Sequence, residues 1–447
     1  MGRGGARAAA LTALIAVEEG LFLEPALERG DRVAGPDGRE RGLARRIVRG
    51  VLQNRGRIDW ILGRFLDRSG PERLDPRTRN LLRAGLFQLL FLSAVPARAA
   101  VFETVALARR SGGEPAARLV NGVLRRFLRE GEPPGIPSIE DDPAGHLSIR
   151  ESHPLWLASR WVARLGVERA ALRMAAGNRI PPLSLRVLDG KKVDAIAGEL
   201  EAEGAIVLKS ALHPAVLMLR EGGDPSRLAP FRRGEMIVQD EGIAAAGRAA
   251  EPVDPAARVA DLCAAPGGKI LPIAVALGPE GRSAALDLSE RRLRRLEENR
   301  RRVAADRLLI AAADALAPPL RRARFDLVLL DVPCSGLGVL ARRPDLRWRV
   351  REEDPARLAR LQIRMIRSAA ELVEPGGLLV YSTCTTEAEE NEETVGRFLG
   401  ENRRFRLEAP PADLPESCVA PDGTVRILPE THRCDGAFAA RLRRIDR

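Results

Sequence analysis

The chain has 447 residues, 45% of them hydrophobic and 30% charged, a globular composition long enough for about three domains at roughly 150 residues each. That excludes a wholly disordered or collagen-like chain, and no charge-free apolar run reaches the ~18 residues of a membrane-spanning helix. The formal charge is +11, while aromatics make up only 4% with a single tyrosine, Tyr381, so few side chains are available for stacking on bases.

The charge is unevenly placed. Residues 1–130 contain 24 arginines against 14 acidic residues, which leaves the remainder of the chain nearly neutral. A basic module on a neutral body points to a polyanion, most simply nucleic acid. The chain also prefers arginine throughout, Lys191, Lys192, Lys209 and Lys269 being its only lysines. That preference explains arginine in place of lysine but not the local excess. Cys263, Cys334, Cys384, Cys418 and Cys434 are odd in number and include no CxxC pair. The expectation is reduced thiols in a cytoplasmic protein, not a disulfide framework. Residues 8–17 resemble a signal peptide, but Glu18 and Glu19 follow directly without a small-residue cleavage site, so an amphipathic helix is expected there.

In chain order, apolar residues recur at three- and four-residue spacing in 8–27, 42–66, 78–92, 99–110 and 117–128, which predicts an all-helical domain over 1–130. Asp75-Pro76 reads as a cap and first turn. Residues 131–150, opening with a proline-rich stretch, are expected to be a linker. A helix over 153–176, alternation at 183–187, a helix at 192–203 and short strands near 205–209, 215–219 and 235–239 predict a small α+β module over 151–240. From residue 256 onward strands alternate with helices: 258–262, 283–288, 308–313, 325–330 and 378–382, with helices at 290–303 and 354–373. That alternation implies a parallel sheet with helices on both faces. Ligands of such sheets lie beyond the carboxyl ends of the strands. Asp261, Asp287, Asp314, Asp331 and Cys384 all fall at or just past those ends.

The turn Cys263-Ala264-Ala265-Pro266-Gly267-Gly268-Lys269 offers a close backbone approach. It is neither a G-x-G-x-x-G fingerprint nor a P-loop. Asp287 can accept ribose hydroxyls and Asp314 an adenine amino group, so an adenosine carrier without pyrophosphate is implied, and S-adenosyl-L-methionine fits better than a nicotinamide dinucleotide. Asp331-Val332-Pro333-Cys334-Ser335-Gly336-Leu337-Gly338 follows one strand end, and Tyr381-Ser382-Thr383-Cys384-Thr385-Thr386 another, with the acidic run Glu387 to Glu393 beyond. Carbon 5 of cytosine is too weak a nucleophile to attack a sulfonium unaided. A thiolate adding at carbon 6 makes it enamine-like, and a carboxyl at Asp331 can stabilise the charge that develops. Two thiols make sense if one attacks and the other helps release product. A metal is not expected, because His432-Arg433-Cys434 matches no common zinc spacing.

These motifs resemble the RNA cytosine-carbon-5 methyltransferases of the NOL1/NOP2/Sun group. Val238-Gln239-Asp240-Glu241, Arg342 to Trp348 and Asp435-Gly436-Ala437-Phe438 extend the likeness, and Arg83 to Leu90 with Asn121 to Arg125 resembles a NusB-like RNA-binding domain. The resemblance implies three parts: an all-α NusB-like domain (1–130), the small α+β RNA-binding module (151–240), and a Rossmann-like α/β methyltransferase domain (241–447). It implies S-adenosyl-L-methionine as cofactor, held by residues 263–269, Asp287, Asp314 and Asp331. Cys384 would attack and Cys334 would assist release. The combination is similar to the bacterial branch that acts on 16S ribosomal RNA, so a monomer acting on that RNA is expected. Trp348, Tyr381 and Phe438 are the candidates for stacking on the base. The same reaction on transfer RNA or another ribosomal RNA site, a nicotinamide oxidoreductase, and a non-catalytic antitermination-type RNA-binding factor are the alternatives.

Overall fold

The computed structural model describes residues 5–66, 70–133, 135–220 and 223–446. They divide into two compact units, one formed by residues up to Arg179 with Arg343–Arg349, the other by Ile180–Arg342 with Val350 onward.

The first unit is helical. It contains α1 (Ala6–Glu18), α2 (Leu23–Ala34), α3 (Gly38–Phe65), α4 (Pro76–Phe91) and α5 (Ala97–Glu130), then α6 (Pro143–Arg150), α7 (Leu155–Leu165) and α8 (Val167–Ala176). The single helix expected over 8–27 is two helices, because the chain turns at Gly20 with φ of +102°, a conformation that favours glycine. The carboxylates of Asp37 and Asp75 accept from backbone amides in the first turns of α3 and α4, each such cap being worth about 1 kcal/mol. Helix α5 bends at Gly113, where φ is +76°. Arg83 is buried and donates to both oxygens of Asp59 at 2.7 Å and to Glu18 at 2.5 Å, tying α4 to α3 and α1.

The expected linker is partly ordered as α6, whose first turn is capped by Asp142. Helices α7 and α8 pack with the helical unit and not with the α+β module that the sequence suggested. Their buried faces carry Leu157, Trp161, Ala170 and Met174.

The second unit begins with a four-stranded antiparallel sheet in the order β2-β3-β1-β4, made of β1 (Leu183–Val187), β2 (Val207–Lys209), β3 (Val216–Leu219) and β4 (Met236–Val238). Helix α9 (Val193–Ala202) packs on it through Ile196, Ala197 and Leu200. After α10 (Ala229–Arg232) and α11 (Glu241–Gly247) come β5 (Arg258–Asp261), α12 (Ile270–Ala276), β6 (Arg282–Asp287), α13 (Glu290–Arg302), β7 (Leu308–Ala312) and β8 (Phe325–Asp331). The chain then leaves this unit for α14 (Leu346–Arg349) in the helical one. It returns for α15 (Asp354–Ala370), β9 (Val373–Thr383), α16 (Glu392–Glu401), β10 (Phe405–Glu408), β11 (Val425–Ile427), α17 (Pro429–His432) and β12 (Ala437–Arg444).

These strands make one sheet in the order β10-β12-β9-β8-β5-β6-β7, with β11 on β12. Strands β5 to β9 are parallel, but β12 runs antiparallel between β9 and β10. The wholly parallel sheet expected from the strand–helix alternation is therefore a mixed sheet. The buried run Leu327 to Leu330 is continuous because both faces of a central strand are covered.

Within the helical unit, Arg347 of α14 has no exposed surface. Its guanidinium donates to the carbonyl oxygens of Gln53, Ser152 and Gly177 and to the Asn178 side chain, at 2.8–3.0 Å. The neighbouring Trp348 indole donates to the Leu52 carbonyl.

Candidate active site

The parallel strands β5, β6 and β8 end on Asp261, Asp287 and Asp331, so their carboxylates share one rim of the sheet. Asp261 is buried and accepts from the Cys263 amide at 3.1 Å. Burial pushes its carboxyl up to about 7, because the charged form loses its hydration. The turn after β5 is closed by Gly267 N–H donating to Ala264 O at 2.7 Å. Gly267 has φ of +110°, and a Cβ there would meet Leu271 and Leu296 within 2.7 Å, so any side chain at this position would be strained. Gly268 O accepts from Gln239. The Cys263 thiol is pushed up by burial and by the surrounding carboxylates, which argues against a nucleophilic role for it.

Asp287 is buried and accepts from the Ser289 amide at 2.9 Å and the Ala265 amide at 3.3 Å, with Arg292 3.2 Å away. The next residue, Leu288, is 75% exposed. An exposed apolar side chain beside a carboxylate able to accept ribose hydroxyls suits a purine face, and nothing in the sequence pattern had marked it. Asp314 lies past β7, exposed, and accepts from the Leu316 amide. The carboxylates, the turn 263–269 and Leu288 together fit an adenosine ligand.

Lys269 is inserted between the first and second halves of the site. Its ammonium lies 2.7 Å from Asp331, with only 12% of the side chain exposed. Although burial opposes the charge, the pair with Asp331 holds the ammonium above its ordinary value. Asp331 also accepts from the Ser382 hydroxyl at 2.9 Å. Both neighbours are donors, so Asp331 serves as acceptor and the cation beside it supplies the positive field.

The loops after β8 and β9 bring the two sequence-marked thiols together. Cys334 Sγ and Cys384 Sγ are 3.2 Å apart, and the Cys384 amide donates to Cys334 Sγ at 3.3 Å. Both cysteines are free, since a disulfide would need about 2.05 Å. The thiol–thiol hydrogen bond and burial push Cys334 well up. Gly338 fixes the loops: it donates to Cys384 O and accepts from Gly436 N, and a Cβ on it would lie 2.8 Å from the carbonyl oxygens of Cys384 and Gly436.

Two supports were not visible as such in the sequence. Arg342 pairs with Asp240 at 2.8 Å and Asp435 at 3.0 Å, both carboxylates nearly buried, which links three segments that the family resemblance had marked separately. Glu390, one of the acids in the run 387–393, has no exposed surface and accepts from Ser335 N, Ser335 Oγ and Gln362 Nε2. The acidic run gave notice of charge near Cys384, but not that one member turns inward.

The stacking candidates fare differently. Tyr381 and Phe438 are buried against each other edge to face at 6.3 Å, so they are core residues. Trp348 is engaged with Leu52 and Arg55 in the helical unit. The expectation that these three stack on a base is corrected. No helix among the described residues is long and apolar enough to cross a membrane.

Comparison with known proteins agrees with this geometry. The family model "16S rRNA methyltransferase RsmB/F" matches residues 250–443 and the NusB family model matches 5–129. The probable ribosomal RNA small subunit methyltransferase B of Bacillus subtilis is 36% identical over 90% of this chain and 90% of its own. The ribosomal RNA small subunit methyltransferase B of Erwinia tasmaniensis is 31% identical over 95% of each. Among solved structures, PH0851 matches with a TM-score of 0.83 and 27% identity over 99% of both chains. NSun6 from Pyrococcus horikoshii, solved with SFG, shares the fold at a TM-score of 0.58 and 23% identity over 66% of this chain and all of its own. The chain therefore belongs to the RsmB/F family of 16S rRNA methyltransferases, with an N-terminal NusB domain and S-adenosylmethionine as its methyl donor.

Proposed function

We propose that this enzyme methylates carbon 5 of a cytosine in 16S ribosomal RNA through a covalent cysteine–cytosine intermediate. The observation that carries this reading is the pair of free thiols 3.2 Å apart, on loops adjoining the Asp331–Lys269 ion pair. A reaction at an amino or hydroxyl group needs no thiol, whereas carbon 5 of a pyrimidine does.

The donor supplies an electrophilic methyl group. Cys384 adds through sulfur to carbon 6 of the ring, and electron density moves to carbon 5 and toward ring nitrogen 3. The Lys269 ammonium, held in place by Asp331, stabilises that charge in a partly buried setting. Carbon 5 takes the methyl group and then loses its proton to a base. The sulfur–carbon bond breaks, returning its electron pair to Cys384, with Cys334 assisting release. The turn 263–269, Asp287 and Leu288 orient the adenosine part, and Asp314 lies at the same rim for the adenine amino group.

The RNA is proposed to lie with its phosphates on the helical unit. A groove of about 820 Å³ along the bent α5 is lined by Arg98, Arg109, Arg118 and Arg125 around Phe102, which is 69% exposed. Arginine with an accessible aromatic ring suits single-stranded RNA.

The test is methyl transfer to small-subunit RNA from a strain lacking the protein, with the product mapped by bisulfite sequencing. Cys384→Ala is expected to abolish transfer while RNA binding persists. Transfer near the wild-type rate by that variant would reject the mechanism.

A further inference from the structure

We propose that Glu390 is a positioning residue that keeps the proton of the thiol pair on Cys334 and braces the turn carrying that cysteine. This rests on the reading of Cys384 as nucleophile and goes beyond it, because two thiols in contact do not by themselves decide which one carries the proton.

The argument begins with geometry. Glu390 follows the catalytic strand β9 and points back under it, fully buried. Its carboxylate accepts from the amide of Ser335, the residue after Cys334, at 2.9 Å, and from the Ser335 hydroxyl at 2.5 Å. That hydroxyl is 2.8 Å from Thr385 Oγ1, next to Cys384. Gln362 of α15 donates to Glu390 and to the Pro333 carbonyl, both at 3.0 Å. The Tyr381 hydroxyl donates to the Glu390 backbone oxygen. The carboxylate thus braces the turn that carries Cys334 and, through the Ser335 hydroxyl, reaches the loop that carries Cys384. No arginine or lysine is hydrogen-bonded to it in this network, so burial pushes its carboxyl up to about 7.

A buried acid without a cation is costly, and an amide side chain would fill the same space. What the acid adds is charge on one side of the thiol pair. Glu390 acts electrostatically on Cys334, while the Lys269 ammonium acts on Cys384. A negative group near one sulfur and a positive group near the other favour the proton on the first. The other titratable groups around the pair are Asp331, held by Lys269, Glu387, which acts on Glu390, and the buried Tyr381 phenol, pushed well up by burial and by Glu390 and Cys334 and therefore neutral.

The experiment is alkylation of the full-length protein by iodoacetamide across pH 6–9.5, with each cysteine read separately by peptide mass spectrometry. It is run in a Cys384→Ser background so that Cys334 reacts alone of the pair. Removing a nearby negative charge with Glu390→Gln is expected to speed Cys334 labelling at pH 7.5 about tenfold, the change that corresponds to lowering a thiol by one pH unit. Glu390→Asp, which keeps the charge, should label like the parent. Ser335→Ala loosens the same brace without removing the charge and should not reproduce the acceleration. Buried Cys418 reports folding and should stay protected in every variant.

Coincident Cys334 profiles for the parent and Glu390→Gln would overturn the proposal, as would equal acceleration by Ser335→Ala. Should Glu390→Gln also expose Cys418, the Asp variant decides: labelling as slow as the parent supports the role of charge, and labelling as fast as Glu390→Gln refutes it. Because alkylation needs no RNA, a failure here leaves the Cys384→Ala test of the reaction untouched.

Discussion

Replacing Asp261 with asparagine should change how the α/β unit responds to pH. Asp261 is 1% exposed and its carboxyl is raised from an ordinary 3.8 to about 7, chiefly by burial. The folded state therefore binds a proton that the unfolded state releases above pH 4. Stability from this group is fully present below 3.8 and is lost as pH climbs through 7. The full effect is about 4 kcal/mol, of which roughly 2.5 kcal/mol falls between pH 5 and 8. Asp261→Asn keeps an acceptor for the Cys263 amide but removes the titration. Urea unfolding at pH 5 and pH 8, followed by hydrogen exchange in peptides from β5 and β8, should show the parent losing about 2.5 kcal/mol relative to the variant. All four tryptophans, Trp60, Trp156, Trp161 and Trp348, lie in the helical unit, so their fluorescence transition provides a control that the substitution should not move. Parallel pH dependences for parent and variant would refute the assignment of a protonated, buried Asp261.

Cys334→Ala should accumulate a protein–RNA adduct that survives denaturant, visible as a shifted band on a gel; a clean gel with normal turnover would remove Cys334 from product release. Arg83→Met should destabilise the helical unit by about 3 kcal/mol, at the lower end for a broken buried pair, because Glu18 keeps Arg79 at 2.8 Å and Asp59 keeps Arg55 at 3.4 Å; the tryptophan unfolding midpoint measures it. RNA affinity should fall with salt at a log–log slope of roughly −0.7 per neutralised phosphate, and Arg118→Ala with Arg125→Ala should flatten that slope by about 1.4 if each meets one phosphate. Phe102→Ala should weaken binding of single-stranded RNA about 5- to 100-fold while leaving the slope unchanged, as measured by fluorescence anisotropy.

Local patterns carried much of this molecule. The run Leu327–Asp331 announces a central strand because burial on both faces removes the need for alternation, and the Asp75-Pro76 cap is written in two residues. The thiol pair was legible because each cysteine follows an apolar strand by only a few residues, and parallel neighbouring strands deliver their ends to one rim. Long-range partnerships were not legible. Strand β12 carries no sign of its direction, so a parallel sheet was the natural expectation until it was found paired antiparallel with β9. Tyr381 ends the continuous apolar run Leu378 to Val380, and only the fold reveals that Phe438 covers it. Arg342 lies more than 90 residues from each of its carboxylate partners, and no local periodicity encodes such a link. The helical break at Gly20 was missed because one glycine inside an apolar rhythm is weak evidence against a continuous helix.

The dependence of the helical unit on Arg347 has a temporal side. A nascent chain has made residues up to Arg179 long before it reaches Arg343–Arg349, and at 5–20 residues per second the interval is roughly 10 to 30 s. During that time the carbonyl oxygens of Gln53, Ser152 and Gly177 lack the guanidinium that later donates to them. The amino-terminal part cannot finish its own interior until the ribosome has passed Cys334, so a fragment severed at Arg179 would emerge with a wet seam where a guanidinium belongs. Evolution cannot easily trade the two halves as cassettes, since the plug for one is encoded within the reading frame of the other.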